Sequence, residues 1–201
     1  MEAPLKSISG GLQKTPAGYA YDGLLVRQVV EDDLLAYMYL RLLNDGGLKK
    51  FYHESQPTVT EFIRQQSHAR TLGCFEVTDG LPPVIVGLGF ADPISIVRTK
   101  TGNLIKAETG MVFLRGVERT VDFGRMMLRW AFDELQLDVA YGTTPSLNRL
   151  ALAYREKLGF KTVGELPLYT VYNGTPCSAL ISAVTKDEFN EFLLGQVEVS
   201  Q

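Results

Sequence analysis

The segment Arg119–Leu135 restricts the fold more than any other. Phe123, Met126, Met127 and Trp130 share one face at helical spacing, and Leu128, Ala131, Phe132 and Leu135 widen that stripe. A helix apolar over so wide an arc must be covered by other structure. Runs of strand character flank it, Leu104–Leu114 before and Leu137–Tyr141 after. A strand–helix–strand passage of this kind buries its apolar faces most simply as a sheet with helices packed on it.

The rest of the chain fits that layout. Leu24–Val30 reads as a strand, and Glu31-Asp32-Asp33 then places acids where a helix N-terminus favours them. Leu34, Leu35, Met38 and Leu42 make that helix amphipathic, and Asn44-Asp45-Gly46-Gly47 stops it. Pro57 opens a second helix, expected to reach about Arg70 and to end at Gly73. Cys74–Thr78 and Val84–Ala91 are strand-like and are joined by a Gly/Pro turn. Leu147, Leu150, Ala151, Tyr154 and Leu158 recur at helical spacing, with Gly159 as the stop. Phe160–Gly164, Leu168–Asn173 and Ser178–Val184 read as strands, Asn173-Gly174 as a turn and Lys186–Leu194 as a closing helix. The order β, α, α, β, β, β, α, β, α, β, β, α predicts an α/β (α+β) domain over residues 21–195, a mixed sheet flanked by helices. Residues 1–20 lack periodicity and are expected to be a tail or arm, able to reach a protein partner. Residues 196–201 are a second, short tail.

Composition removes whole classes of function. Twenty Lys and Arg against 23 Asp and Glu give a net charge of −3, without the basic excess that general nucleic-acid binding needs. Two cysteines, Cys74 and Cys177, make no disulfide framework, and His53 and His68 supply no metal-ligand spacing. No apolar run is long enough for a membrane span, and the N-terminus carries no signal-peptide pattern. The expectation is a cytoplasmic protein without a metal. No glycine-rich turn follows the first strand, which argues against a flavodoxin-like nucleotide fold.

The stretch Asn148-Arg-Leu-Ala151-Leu-Ala-Tyr154-Arg-Glu-Lys-Leu158-Gly159-Phe160 resembles the GNAT superfamily of N-acetyltransferases. Members often carry an asparagine, a small residue three later, and a helix closed by Leu-Gly-Phe. Arg27 with Glu31-Asp32-Asp33 resembles the family's first strand and helix, and the likeness covers about residues 22–185. It implies a GNAT-like acyl-CoA N-acyltransferase fold, with a mixed, mostly antiparallel sheet. The implied activity moves an acetyl group from acetyl-CoA to an amine of a small molecule or protein, by direct attack in a ternary complex.

The family's acyl-CoA motif, Arg-x-x-Gly-x-Gly/Ala, falls on Arg119 to Gly124, but Asp122 stands where the middle glycine belongs and Thr120 where another is common. Bare amides at a helix N-terminus, with about half a positive charge, can grip a pyrophosphate. A carboxylate there competes for them and repels phosphate. Segment 115–125 offsets this with Arg115, Arg119 and Arg125 against Glu118 and Asp122. The cofactor-binding set implied is Arg119, Thr120, Phe123, Gly124, Arg125 and Asn148. Backbone N–H groups near Val112 to Leu114 would polarise the thioester carbonyl.

Glu108, on the strand entering this loop, is the expected base, and Tyr154 the expected acid for the leaving thiolate. Tyr154 follows Asn148 by six residues where the family's tyrosine follows by seven, so Arg155 occupies the usual slot. Asn148 doubles as a helix cap, and Phe51-Tyr52-His53-Glu54 falls where relatives shape the acceptor site. The strands ending at Leu114 and starting at Leu137 should splay and leave a slot for a pantetheine chain. An alternative keeps the fold and loses the chemistry, as in a binding or structural component of a phage particle or other assembly.

Overall fold

A computed structural model of the chain describes residues 12–16, 18–52 and 54–198. Nine strands and six helices follow in the order β1 (Gln13–Thr15), β2 (Gly18–Tyr21), β3 (Leu24–Gln28), α1 (Asp32–Asp45), α2 (Gly47–Phe51), α3 (Val59–His68), β4 (Arg70–Glu76), β5 (Val84–Thr99), β6 (Gly102–Phe113), α4 (Thr120–Glu134), β7 (Val139–Pro145), α5 (Arg149–Glu156), β8 (Lys161–Tyr172), β9 (Thr175–Thr185) and α6 (Lys186–Glu198). The strands form one sheet in the order β1-β2-β3-β4-β5-β6-β7-β9-β8. Every pairing is antiparallel except β6 with β7. This is the mixed, mostly antiparallel sheet the sequence predicts.

Two cores cover its faces. On one, α4 lays Phe123, Met126, Met127, Trp130 and Phe132 beside Phe189 and Leu193 of α6. On the other, Leu35, Met38 and Leu42 of α1, Leu48 of α2 and Phe62 of α3 meet Val29, Phe75, Ile85 and Leu88. β6 feeds both by strand alternation, Met111 and Phe113 toward α4, Val112 and Leu114 toward α1–α3.

Local chemistry explains the helix ends. Gly46 closes α1 at φ 76°, the left-handed geometry glycine adopts freely. Thr58 and Glu61 form a capping box at α3, and Thr185 and Glu188 exchange the same pair of hydrogen bonds at α6.

Several expectations need correction. The aperiodic arm ends earlier than residue 20. Gln13–Thr15 and Gly18–Tyr21 are strands, Tyr19 and Tyr21 are buried, and Lys14 and Tyr19 both donate to Glu134 at the end of α4. Residues 1–11 lie outside the described residues. α3 stops at His68 rather than near Arg70, and Gly73 lies inside β4 instead of ending a helix. A side chain at Gly73 would strike Phe75 and Val29 at 2.6 Å, so this glycine serves close packing. α2 follows Gly46 where only a stop was expected. The two runs flanking Pro167 are one strand, β8, because register shifts at 162/164 and 166/170 absorb the irregularity at an edge. β5 likewise continues past Ala91 to Thr99.

Candidate active site

The parallel pairing of β6 and β7 covers only Lys106–Glu108 against Val139–Tyr141. At Thr109 the backbone ladder gives way to a side-chain bond, Thr109 Oγ1 donating to the Tyr141 carbonyl at 3.1 Å. Beyond it the strands part, as the sequence reading expected. A cavity of about 360 Å³ opens there, lined among others by Glu108, Met111, Thr143, Asn148, Tyr154 and Arg155.

Strand geometry fixes which amides face this opening. Leu114 N–H donates to the Val86 carbonyl at 2.9 Å, which makes that pair a hydrogen-bonded one in the antiparallel ladder. Residues at even positions therefore bond to β5, and odd ones turn their N–H and C=O away from it. The Thr109 carbonyl confirms the phase, since it accepts from Arg155 Nη2 at 3.2 Å. The expected polarising amides at Val112 and Leu114 are thus engaged with β5, and the side chains lie in the α1–α3 core. Within the expected stretch the Phe113 amide turns away from β5, as does that of Met111, which lines the cavity. Hydrophobicity alone did not reveal which residues of β6 bond to β5.

Glu108, Asn148 and Tyr154 all line this cavity, Glu108 brought to it from a distant part of the sequence. Glu108 accepts from Thr143 Oγ1 at 3.0 Å. Asn148 caps α5 by accepting from Ala151 N–H at 3.2 Å, the structural role its position also suggested. Tyr154 donates its hydroxyl to the Thr120 carbonyl at 2.8 Å. Burial holds its phenol well above the usual range, so the phenol stays protonated. The hydroxyl proton expected to serve as the acid is engaged here by the Thr120 carbonyl.

The α4 entrance divides the expected cofactor-binding residues. α4 begins with no side-chain cap, and its first internal amide bond is Phe123 N–H to the Arg119 carbonyl. Asp122 does not plug this end. Its carboxylate pairs with Arg119 Nε at 2.9 Å. Arg119 also donates to the Asp22 carbonyl at 2.7 Å, lies over the Tyr21 ring, and so ties α4 to the β2–β3 turn. Phe123 is fully buried core. Gly124 faces Tyr154 and Leu158, where a Cβ would meet the Tyr154 hydroxyl and come within 2.8 Å of both Leu158 methyls. Arg125 is 3% exposed, its Nε has no partner, and its guanidinium lies against Phe192 of α6. Side chains of Phe123, Gly124 and Arg125 therefore pack inward. Thr120, with its neighbours Val121 and Asp122, stays half-buried at the open end.

Arg155 lines the same cavity, although the count from Asn148 marked only its slot. α5 carries its guanidinium to the parting of the strands, against Gly142 of β7, over the Phe160 ring at 5.1 Å and bonded to Thr109 of β6. Lys50 and Phe51 of α2 and the following Tyr52 also line the cavity. His53 lies outside the described residues. Among the described residues no group of three or more His, Cys, Asp or Glu could hold a metal, and no helix is long and apolar enough to cross a membrane.

Solved structures share this fold. Spermidine N-acetyltransferase from Vibrio cholerae, solved with CoA and spermine, superposes with a TM-score of 0.68 at 16% identity, over 84% of this chain and 98% of that one. The chain has the GNAT acetyltransferase fold. A GNAT-family acetyltransferase from Bacillus anthracis gives 0.62 at 14% identity, covering 83% of this chain and 96% of the other. Ribosomal-protein-S5-alanine acetyltransferase from Vibrio fischeri gives 0.64 at 12%, covering 85% and 97%. No protein-family model and no curated protein matches the sequence. At these identities the GNAT likeness is one of fold.

Proposed function

We propose that the protein transfers an acetyl group from acetyl-CoA to a primary amine by direct attack within a ternary complex. The observation that carries this reading is the parting of β6 and β7 beyond Glu108, which opens the cavity between a carboxylate and a slot-facing backbone amide. A pantetheine arm lying in the gap would extend the sheet's hydrogen bonding, with Met111 N–H directed at the thioester carbonyl. The uncapped first turn of α4 offers its amides and helix dipole to a pyrophosphate. Exposed Arg115 adds positive charge nearby, while Arg119 is held by Asp22 and Asp122.

Glu108 takes the proton that nitrogen loses as the free amine attacks, with Thr143 orienting its carboxylate. Much of the rate comes from holding amine and thioester together, so no enzyme nucleophile is required. Buried Cys74 directs its thiol to Met127 Sδ in the core. The acceptor enters past Lys50, Phe51 and Tyr52. Calorimetric titration with acetyl-CoA tests the reading. Saturable binding that is lost when Met111 is replaced by proline, in a variant that remains folded, supports it. Absence of binding by the unaltered chain overturns it.

A further inference from the structure

The site needs something to receive the negative charge on the departing sulfur, and Tyr154 is turned to another task. Its hydroxyl donates to the Thr120 carbonyl and also contacts Met111 Sδ at 3.3 Å. Arg155 stands one residue further along α5, which rotates it about 100° around the helix. Its guanidinium is the cation at the parting of β6 and β7. The other cation lining the cavity, Lys50, is carried by α2 and is exposed.

The surroundings of Arg155 form a built seat. A methyl group on Gly142 would overlap the guanidinium, coming within 2.7 Å of Nη1 and 2.8 Å of Cζ, so the absence of a side chain there admits the charge. Phe160 supports one face, and one N–H is fixed on the Thr109 carbonyl. Among the described residues Arg155 makes no ion pair with a carboxylate, and a guanidinium has five N–H donors. The Glu108 carboxylate in the same cavity acts on this half-buried charge without forming an ion pair with it, and a second anion in the cavity would help offset the cost of holding it.

We propose, resting on the acetyl-transfer reading above, that Arg155 stabilises the leaving thiolate as a fixed positive charge, in place of a proton-donating phenol. The amine lone pair forms the new C–N bond, and the carbonyl electrons move onto oxygen and return as the C–S bond breaks. The sulfur leaves with that electron pair beside Arg155. Glu108 receives the proton from nitrogen, and the thiolate is later protonated from solvent. Burial lowers the Arg155 pKa to about 10 while Glu108 and Tyr154 act to raise it. The group thus remains charged at neutral pH.

The test uses coenzyme A as the probe and needs no acceptor. The thiol of bound coenzyme A is titrated by the ultraviolet absorbance of its thiolate, in the unaltered protein and in Arg155→Met, Arg155→Lys, Lys50→Gln and Glu108→Gln. An opposite charge at this range lowers a pKa by about 1–3 units. We expect such a lowering in the unaltered protein and its loss in Arg155→Met. Arg155→Lys and Lys50→Gln should retain most of it, and Glu108→Gln should deepen it by removing a like charge. Should Arg155→Met fail to fold, Gly142→Ala, which displaces the guanidinium, is read in its place. Coenzyme A that binds but titrates as it does free in solution overturns this inference alone. Coenzyme A that does not bind overturns the acetyl-transfer reading and this inference together.

Discussion

Gly142→Ala separates packing from charge at the centre of the site. The new methyl group overlaps Arg155 Nη1, Nη2 and Cζ. These atoms end a long side chain, so the guanidinium moves and the strand stays. Leaving its seat costs the bond to the Thr109 carbonyl, about 1.5–3 kcal/mol for a hydrogen bond to a charged group. It also costs the Phe160 contact, about 0.5–1 kcal/mol. Water reaching the displaced group returns part of this, and alanine recovers about 0.5–1 kcal/mol of backbone entropy relative to glycine. The net expectation is a destabilisation of about 1–2 kcal/mol. For a domain of this size that is roughly 2–8 °C in Tm. Trp130 is the chain's single tryptophan and is buried against the sheet, so its fluorescence reports global unfolding. Gly164→Ala is the control, since its Cβ would meet only Ile181 at an ordinary 3.6 Å. A Gly142→Ala protein that melts with the unaltered chain would refute the placement of Arg155 on Gly142.

Other outcomes follow from the same geometry. Glu108→Gln should leave acetyl-CoA affinity unchanged in calorimetry and lower turnover about 10²-fold, the usual scale for a lost general base. Asp122→Asn removes a negative charge near the open end of α4 and should tighten acetyl-CoA by up to about fivefold, the equivalent of about 1 kcal/mol. Unaltered affinity would show that the Arg119 pair already neutralises it. Asn148→Ala should cost about 1 kcal/mol in urea unfolding through loss of the α5 cap. Glu188 is held down to about 2 by the Lys161 ammonium and by hydrogen bonds from Thr185. A carboxyl depressed in the folded state contributes stability that is present above its unfolded value near 4.5 and is lost as pH falls toward 2. Glu188→Gln should therefore flatten the acid limb of the stability curve in that window, and an unchanged limb would contradict the assignment.

Local pattern decided much of this protein. The stripe on α4, the acids opening α1, the Gly46 stop and the Leu-Gly-Phe closure after α5 are each set by neighbours within a few residues, so periodicity and capping chemistry reveal them. The β6–α4–β7 passage placed the site between two strands for the same reason. Other features depended on groups brought together from distant positions. Strand alternation alone could not say whether Leu114 or Met111 turns its amide to the gap, because that phase is fixed by pairing with Val86. Arg119 matched a phosphate-binding position, yet Asp22, 97 residues earlier, claims it. A helical count put Arg155 in the usual acid slot, but only the joint presence of Thr109, Gly142 and Phe160 seats a guanidinium there. Sequence thus determined the order and type of most helices and strands, through short-range backbone and burial preferences, while several of their ends were set by packing. Tertiary packing decided which charges meet, because electrostatic contacts form between whatever surfaces the folded chain brings within a few ångströms.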